Sequence, residues 1–420
     1  MKRSDFELMV PAGSREALAA AVNAGADSVY FGVGALNMRA LASGAFGPGD
    51  VAGAVQFCHD AGVRAYLALN TVIFERDLPE MQALLETAAG ARVDAVIASD
   101  MAVVAASRAL GLRVHLSTQM NIANSAALKF YARDADVAVL ARELTLKEVA
   151  QIARIIRQES IRGPSGGLLR LEMFCHGALC MAQSGRCYMS LHTRGKSANR
   201  GSCLQTCRRR YEIRDMDRDI ALELADGYIL SPRDLKTIEY LDRMAAAGVQ
   251  VFKIEGRARG PEYVRAVVSA YDEALSAVAD GSFCASRVEQ WNRRLSEVFN
   301  RGFWQGWYLG AETMELAGGY GSQAKLQKRF AGKCVNYFAR AGAAQFLIQA
   351  EGFAEGARLL VAGPTTGAVE FQAQGMRCED AAVQTCSKSQ MVTMRVAQRV
   401  RAGDKLYVLE PRAVENGLEA

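Results

Sequence analysis

The feature that most constrains the fold of this 420-residue chain is a sequence pattern that repeats through its first 260 or so residues. A short apolar run ends in polar or small residues, and an alanine-rich helical stretch follows it. Strands that alternate with helices in this way build parallel sheets, because a parallel partner is reached through a crossover connection. The eight apolar runs are 7–13, 28–33, 64–70, 95–100, 113–119, 137–143, 169–174 and 250–257.

The number of runs favours a closed (β/α)8 barrel, the TIM-barrel architecture, over an open doubly wound sheet. The first run ends in Pro11-Ala12-Gly13-Ser14, a tight turn without the GxGxxG loop of a dinucleotide-binding sheet. Ser14 is placed to cap the next helix, and Thr145 with Glu148 forms a capping box for a later one. An open sheet gives the same alternation and stays the alternative.

The chain divides into two parts with different sequence patterns. Residues 1–317 carry the barrel pattern, with an insertion predicted at about 176–230 between the seventh and eighth strands. Residues 330–415 contain short apolar runs separated by glycine-containing turns, which predicts a small all-β barrel domain. Because loops that follow barrel strands lie on the catalytic face, we expect the insertion beside the active site.

Composition narrows the class of protein. Half of the residues are apolar and 23% are charged, as in soluble globular proteins. No apolar stretch is long enough to span a membrane, and the segment 1–6 lacks the pattern of a signal peptide. We therefore expect a cytoplasmic protein without membrane association. The net charge of +5 alone gives no strong indication of a nucleic-acid partner.

Four of the ten cysteines lie close together in the predicted insertion, with the spacing C-x6-C-x15-C-x3-C. They are Cys180, Cys187, Cys203 and Cys207. In a reducing compartment, grouped cysteines indicate metal or redox chemistry rather than disulfides. Zinc sites use short spacers in both halves, whereas the six-residue spacer here suits a bulkier iron–sulfur cluster. Spacing alone favours iron–sulfur and leaves open zinc, or four buried cysteines without a metal.

The same segment is strongly basic, since no Asp or Glu occurs between Cys175 and Tyr211. A surface of one sign beside a catalytic face attracts anions, and Tyr188 and Tyr211 offer stacking surfaces for bases. The pattern favours contact with RNA or phosphate; charge balance for a thiolate-held cluster is the alternative. The predicted RNA-binding residues are Arg186, Arg194, Lys196, Arg200, Arg208, Arg209 and Arg210.

Polar side chains at the predicted strand ends are the catalytic candidates, because barrel enzymes place reacting groups there. His176 is a candidate general acid or base, or a hydrogen-bond donor to a cluster sulfide. His115 lies inside a strand and is interpreted as a satisfied core residue. Neither GxSxG nor HExxH occurs. The candidates, each with helix capping or loop bracing as its alternative, are Asn70, Asp100, Gln119, Glu143, His176, Glu255 and Arg257.

Several longer motifs resemble one family. The run 172–187 and the segment 201–208 are similar to the signature of peptidase family U32, the collagenase-like peptidases. Further matches to this family are 11–13, 25–30, 115–119 and 253–257. The resemblance covers about residues 5–310, and the C-terminal part resembles the family's own small β-barrel.

This resemblance implies chemistry that the family name does not suggest. Members include iron–sulfur proteins that hydroxylate without molecular oxygen. One branch forms 5-hydroxyuridine at the tRNA wobble position with prephenate, a second forms 5-hydroxycytidine in large-subunit rRNA, and a third pair acts in anaerobic ubiquinone synthesis. By the resemblance, Cys180, Cys187, Cys203 and Cys207 ligate a [4Fe–4S] cluster. Chain length, the x3 spacer and the C-terminal domain favour the tRNA branch.

The expected partners are then the anticodon arm of tRNA and prephenate, with an electron donor or partner protein left open. A collagenase-like peptidase and a non-catalytic cluster-bearing subunit stay the competing hypotheses. The stretch between Tyr211 and Tyr228 is shorter than in the family pattern, which leaves the identity of the substrate open.

Overall fold

The computed structural model describes residues 1–41, 46–215, 217, 220–222 and 227–412. Parts of the predicted insertion (216, 218, 219 and 223–226) and the end of the predicted C-terminal domain (413–415) therefore lie outside the described residues. The described chain forms a closed parallel barrel followed by an antiparallel sheet, which confirms the predicted fold class.

The first part of the chain contains twelve strands within the described residues. Strands β1 to β7 and β11 form the barrel in sequence order, and β11 closes it by pairing with both β1 and β7. The strands are β1 (Glu7–Pro11), β2 (Ser28–Gly32), β3 (Arg64–Leu69), β4 (Ala95–Ala98), β5 (Val114–Leu116), β6 (Val137–Val139), β7 (Arg170–Gly177), β8 (Ile213–Asp215), β9 (Ile220–Leu222), β10 (Asp234–Lys236), β11 (Val251–Ile254) and β12 (Phe303–Trp304).

Helices surround the barrel, and their starts follow from capping residues. Ser14 and Thr145 accept backbone N–H bonds from Ala17 and Glu148, as the sequence predicts. No helix in the described ranges is both long and apolar enough to cross a bilayer. The helices are α1 (Arg15–Asn23), α2 (Val51–Asp60), α3 (Leu78–Gly90), α4 (Met101–Ala109), α5 (Ser125–Ala132), α6 (Leu146–Gln158), α7 (Met189–Arg194), α8 (Leu241–Ala246), α9 (Pro261–Asp280) and α10 (Ala285–Glu297).

Strand β7 runs three residues past its predicted end, so that His176 lies within the strand and does not begin a loop. The extension exists because β10 pairs antiparallel with it, placing Lys236 opposite His176 and Leu235 opposite Gly177. The insertion proper occupies residues 178–233 and contains α7 and the hairpin of β8 and β9. It begins where β7 ends, at the carboxyl end of the barrel.

The C-terminal part is one antiparallel sheet in the order β16-β15-β20-β13-β14-β19-β17-β18, with its own hydrophobic core around Phe346 and Leu359. Within the described chain, no ladder joins the end strands β16 and β18. The strands are β13 (Leu326–Phe338), β14 (Ala343–Ile348), β15 (Arg358–Gly363), β16 (Gly367–Gln372), β17 (Arg377–Cys378), β18 (Ala381–Ala382), β19 (Met391–Arg395) and β20 (Lys405–Pro411).

This sheet packs against helices α1 and α9 of the barrel. Gly367 (φ +73°) approaches α1 so closely that an added Cβ would lie 2.7 Å from the backbone nitrogen of Ala20. Arg358 donates to Glu297 of α10 at 2.7 Å and to Glu370 at 3.0 Å. The two parts are therefore joined by close backbone packing and by ion pairs.

Candidate functional site

A cavity of about 350 Å³ lies at the carboxyl end of the barrel. Barrel residues that include Tyr30, Phe174 and Lys253 form its floor, and residues between 178 and 208 of the insertion form its roof. A cavity of this size at this end of the barrel is where TIM-barrel enzymes bind small molecules.

All four cysteines singled out by their spacing line this cavity. Burial raises the pKa of the Cys207 thiol, the adjacent Arg208 lowers it, and Cys180, Cys203 and Cys187 raise it again. The four thiols are thus electrostatic neighbours. Among the described residues, no three Cys, His, Asp or Glu side chains are grouped closely enough to hold a single metal ion. The thiols therefore stand around the cavity and do not converge on one point.

The insertion is held in place by specific backbone contacts. The backbone N–H of Cys187 donates to Oδ1 of Asn199 at 3.1 Å, and that of Leu204 donates to Oγ of Ser190 at 3.0 Å. Gly201 (φ +81°) lies against the loop after β2, where an added Cβ would be 2.2 Å from the carbonyl oxygen of Asn37. These contacts fix the two cysteine-bearing arms relative to the barrel.

Two of the predicted catalytic residues, Glu255 and Arg257, line the cavity after β11. Oε1 of Glu255 accepts from Nη2 of Arg39 at 2.9 Å. Burial alone would raise the pKa of Glu255, but Arg39 and Arg259 outweigh it and hold the pKa at about 2. Burial lowers the pKa of Arg257 to about 10, and its Nη1 donates to Oδ1 of Asn37 at 3.0 Å. At neutral pH, Glu255 is a carboxylate and cannot donate a proton.

Asn70 and Gln119, two further candidates, meet on the opposite wall. Nδ2 of Asn70 donates to Oγ of Ser117 at 3.1 Å and to Oε1 of Gln119 at 3.3 Å. Oδ1 of Asn70 accepts from the backbone N–H of Met38. This wall is polar and uncharged, which suits the recognition of a ligand with several hydrogen-bonding groups.

The charge around the cavity is predominantly positive. Nη1 of Arg142 donates to the carbonyl of Ala178 at 3.1 Å, whereas its buried Nε has no hydrogen-bond partner. An unpaired buried donor is costly unless a ligand satisfies it. Among the described lining residues, Glu255 is the one carboxylate, and the cations are Arg39, Arg142, Arg186, Arg208, Lys253 and Arg257. The cavity therefore favours an anionic ligand.

Three predicted catalytic residues lie outside the cavity. His176 is buried among Tyr263, Tyr271 and Phe303, and burial lowers its pKa to about 3, so the imidazole is neutral and away from the site. Asp100 caps α4 by accepting from the backbone N–H of Ala102. Glu143 is exposed and does not reach the cavity. His176 was expected in a loop because the pairing of β7 with β10 is not visible in the sequence.

The basic residues of the insertion divide into two groups. Arg186 and Arg208 line the cavity, but Arg208 donates to Oγ of Ser231 at 3.2 Å and serves as a brace. Arg200 forms two bonds to Asp77, at 2.6 and 3.1 Å, and is likewise engaged. The remaining predicted RNA-binding residues, which are exposed, are Arg194, Lys196, Arg209 and Arg210.

Two charged cavity residues, Lys253 and Arg39, were not among the candidates predicted from the sequence. Lys253 lies in the middle of an apolar strand, and a charged residue at such a position was the signal available. Arg39 lies in the loop after β2 with no motif to mark it. His115 is in the core as expected, but its Nδ1 lacks a hydrogen-bond partner, so it is not a satisfied residue.

Fold and site together define a TIM-barrel protein whose cysteine-rich insertion covers a cationic cavity. The family model described as peptidase family U32 matches residues 13–317. The chain belongs to this family.

Three curated relatives show the range of names within it. A protein of Porphyromonas gingivalis named collagenase is 47% identical over 98% of this chain and its own full length. The tRNA hydroxylation protein P1 of Bacillus subtilis is 32% identical over 70% of this chain and 69% of its own. The 23S rRNA 5-hydroxycytidine C2501 synthase of Escherichia coli is 34% identical over 66% of this chain but only 40% of its own.

Proposed function

We propose that this protein is an oxygen-independent RNA hydroxylase that forms 5-hydroxyuridine at the tRNA wobble position, with prephenate as co-substrate and a [4Fe–4S] cluster on Cys180, Cys187, Cys203 and Cys207. The observation that carries the proposal is that four thiols and an excess of cations line one cavity at the carboxyl end of the barrel. The RNA-directed activity comes from the relatives named for tRNA and rRNA hydroxylation.

The donor set suits an iron–sulfur cluster better than zinc. A zinc ion holds its sulfur ligands at about 2.3 Å, so four thiolates would have to converge on one point. The six-residue spacer between Cys180 and Cys187 is longer than zinc sites use and suits a larger iron–sulfur cluster, and all four thiols line one cavity. When bound, the cluster would supply redox chemistry or a Lewis-acidic iron to the cavity.

The cations that line the cavity support the proposal of a small anionic co-substrate. Prephenate carries two carboxylates, and Arg142 and Arg257 present guanidinium groups to the cavity. A planar guanidinium pairs well with a carboxylate through two parallel hydrogen bonds. The orphaned Nε of Arg142 would be satisfied by such a ligand.

Residues at the outer rim of the cavity support the proposal that the substrate is RNA. Tyr188 lines the cavity and is 70% exposed, which leaves its ring open for stacking against a base. Base stacking on an exposed aromatic ring is the usual way in which proteins hold an unpaired nucleotide. The exposed Arg194 ends α7, the exposed Lys196 lies just after it, and both would contact the flanking phosphates.

A peptidase is the competing function, favoured by the name of the relative from P. gingivalis. A cysteine peptidase needs a thiol within hydrogen-bond reach of a base, in most cases a histidine. None of the described residues that line the cavity is a histidine. The described lining residues therefore offer no cysteine–histidine pair for a cysteine peptidase.

Nucleoside analysis tests the proposal. The wild-type gene and a Cys203→Ser control are expressed without oxygen in a bacterial host that lacks its own RNA hydroxylation genes. We expect 5-hydroxyuridine or its derivatives in tRNA with the wild type and none with the control. Hydroxycytidine in rRNA alone would reassign the substrate. Unmodified tRNA and rRNA, together with gelatin or collagen cleavage by the purified protein, would overturn the proposal.

A further inference from the structure

The interior of the barrel carries charged groups where TIM barrels normally pack branched apolar side chains. Glu7, His115, Glu172 and Lys253 all point into this interior and are at most 5% exposed. Buried charges are costly unless each finds a partner, so a chain gains no stability by keeping them where Val or Leu would fit. Their presence calls for a functional explanation.

Lys253 is the member of this group that reaches the cavity. Its Nζ lies 2.6 Å from Oε1 of Glu172, and the two side chains are 5% and 0% exposed. The rings of Tyr30 and Phe174 lie 4.7 and 5.5 Å from the same Nζ. The amino group is thus fixed at the cavity floor by one carboxylate and two aromatic rings.

The environment of Lys253 favours exchange of its proton. Burial lowers the pKa of Lys253, Glu172 raises it, and Arg257 and Arg142 lower it again, with a net lowering. The charged or titratable groups that face it are Glu172 from β7, Tyr30 from β2, Arg142 after β6 and Arg257 after β11.

Behind Lys253, Glu172 faces a second titratable group. Its Oε2 lies 3.9 Å from Nδ1 of His115, and neither atom has a hydrogen-bond partner. At 3.9 Å the two atoms are too far apart for a hydrogen bond. The ring of His115 in turn packs on Tyr66, at 4.6 Å between centroids. The carboxylate of Glu172 therefore connects the cavity lysine to the barrel core.

We propose that Lys253 is the catalytic proton-transfer group of the cavity and that Glu172 positions it. This inference rests on the proposed hydroxylase function, since it assigns a role within that reaction. It concerns the barrel floor and is independent of how the cysteines hold their cluster.

The step itself is a proton transfer. Hydroxylation of a pyrimidine carbon is a two-electron oxidation, so it needs an oxygen-atom donor that is itself reduced by two electrons. In the proposed order this donor forms the C–O bond first, and the C–H bond breaks afterwards. The electron pair of the C–H bond restores the ring double bond, and the proton adds to the neutral amine of Lys253. The resulting ammonium ion is stabilised by the carboxylate of Glu172 at 2.6 Å.

Two substitutions of Lys253 test the proposal in the nucleoside assay. General acid–base groups typically contribute a factor of about 100 to 10,000 in rate. We expect Lys253→Met to reduce hydroxylated nucleoside at least 100-fold. Lys253→Arg keeps the charge but cannot release a proton near neutral pH, so it should fail equally. Activity retained by either variant would overturn the proposal, because the role would then be packing or charge alone.

Matched controls separate this role from folding and from the function itself. Arg170→Met removes a cation bound to the buried Glu7 at the other end of the barrel and should keep activity within a few-fold. Iron content of the Lys253 variants should equal that of the wild type. Each variant should still give a folded thermal transition, lowered for Lys253→Met because Glu172 loses its partner. A wild type that yields no hydroxylated nucleoside contradicts the proposed function, whereas an active wild type with an active Lys253→Met contradicts only the role of Lys253.

A separate measurement, the pH–rate profile of Glu172→Gln, tests whether Glu172 positions Lys253. In Glu172→Gln the ammonium form of Lys253 loses its counter-charge, so its pKa should fall further. For a group that acts as a base, the rising limb of the pH–rate profile should then move to lower pH. A profile with lower rates but an unmoved limb would assign Glu172 a structural role and overturn its place in the proposal.

Discussion

Glu255 joins three segments that are distant in sequence. Its Oε1 accepts from Arg39 in the loop after β2, and its Oε2 accepts from the backbone N–H of Ala178 at the start of the insertion. One carboxylate at the end of β11 therefore ties the roof of the cavity to its wall. At the residue scale, the site is an assembly of such single contacts, and each can be tested separately.

The cysteines give the first prediction at this scale. Replacing Cys203 or Cys207 by Ser should remove a thiolate ligand, and we expect bound iron to fall by more than half in protein purified without oxygen. Cys284→Ser is the matched control, since Cys284 is exposed and does not line the cavity. Iron and sulfide analysis with visible absorbance checks this; equal iron in all variants would contradict ligation by these residues.

Glu7 gives a prediction on stability and pH. Burial would raise its pKa, but Arg64 and Arg170 hold it at about 2, below the ordinary value of 4.5. A lowered pKa in the folded state contributes stability above about pH 4.5, and this is lost as the pH falls towards 2. We expect Glu7→Gln to unfold more easily at pH 7, by up to about 3 kcal/mol.

Denaturant unfolding between pH 7 and pH 3 measures this effect. The free energy of unfolding should decline less steeply with falling pH in Glu7→Gln than in the wild type. Parallel curves for the two proteins would show that the Glu7 carboxylate has an ordinary pKa.

The sequence predicted cavity residues where they follow a barrel strand or share a motif. Cys180 and Glu255 are of this kind, because the loop after a strand must lie at the carboxyl end. Arg39 and Lys253 are not, since their roles depend on Glu255 and Glu172, which lie more than eighty residues away along the chain. His176 was misplaced for the same reason: a distant strand, β10, decides whether it lies in a loop.

At the element scale, the insertion is positioned by its fit against the barrel loops. Gly201 and Gly195 both have positive φ, of +81° and +64°, but only Gly201 faces a neighbouring atom within 4 Å. A Cβ at Gly201 would force the cysteine-bearing arm away from Asn37, whereas one at Gly195 would meet nothing. Substitutions at the two glycines therefore distinguish the effect of backbone strain from the effect of losing the contact between the insertion and the barrel.

We expect Gly195→Ala to cost about 1 kcal/mol and to leave iron binding intact. Gly201→Ala should cost more than this and should also lower bound iron, because Cys203 lies two residues away. Limited proteolysis within 178–233 together with iron analysis measures both effects. Identical behaviour of the two variants would mean that the contact with Asn37 does not position the insertion.

The barrel strands were the part of the fold that the sequence predicted best. The period of apolar runs predicted all eight barrel strands, because each is buried on both faces and bounded by turn residues. Strands β10 and β12 were not foreseen, since each is only two or three residues long and exists through pairing with an already formed neighbour.

At the scale of the whole molecule, the C-terminal sheet is fastened to the barrel across α1. Gly367 allows β16 to approach the backbone of Ala20, and Leu360 and Ala368 join the hydrophobic core of the barrel. Because apolar packing and backbone contact coincide here, we expect the two parts to unfold together.

Gly367→Leu should uncouple the unfolding of the C-terminal sheet from that of the barrel. Its side chain would overlap α1, so the sheet should separate and the thermal transition should split in two or drop by several degrees. Gly356→Ala is the control, since that glycine also has positive φ (+84°) but faces nothing within 4 Å. Calorimetry measures the transitions; a single unshifted transition for Gly367→Leu would contradict joint unfolding.

The position of β11 has a consequence for how the protein is made. The strand that completes the barrel leaves the ribosome about 70 residues after β7 ends, with the whole cysteine-bearing segment in between. At typical rates of synthesis this delay is roughly 4 to 15 s. During that interval the nascent chain exposes two open sheet edges, at β1 and β7, while the thiols are already accessible. Reactions of the exposed thiols and capture by chaperones can therefore compete for the same unfinished intermediate.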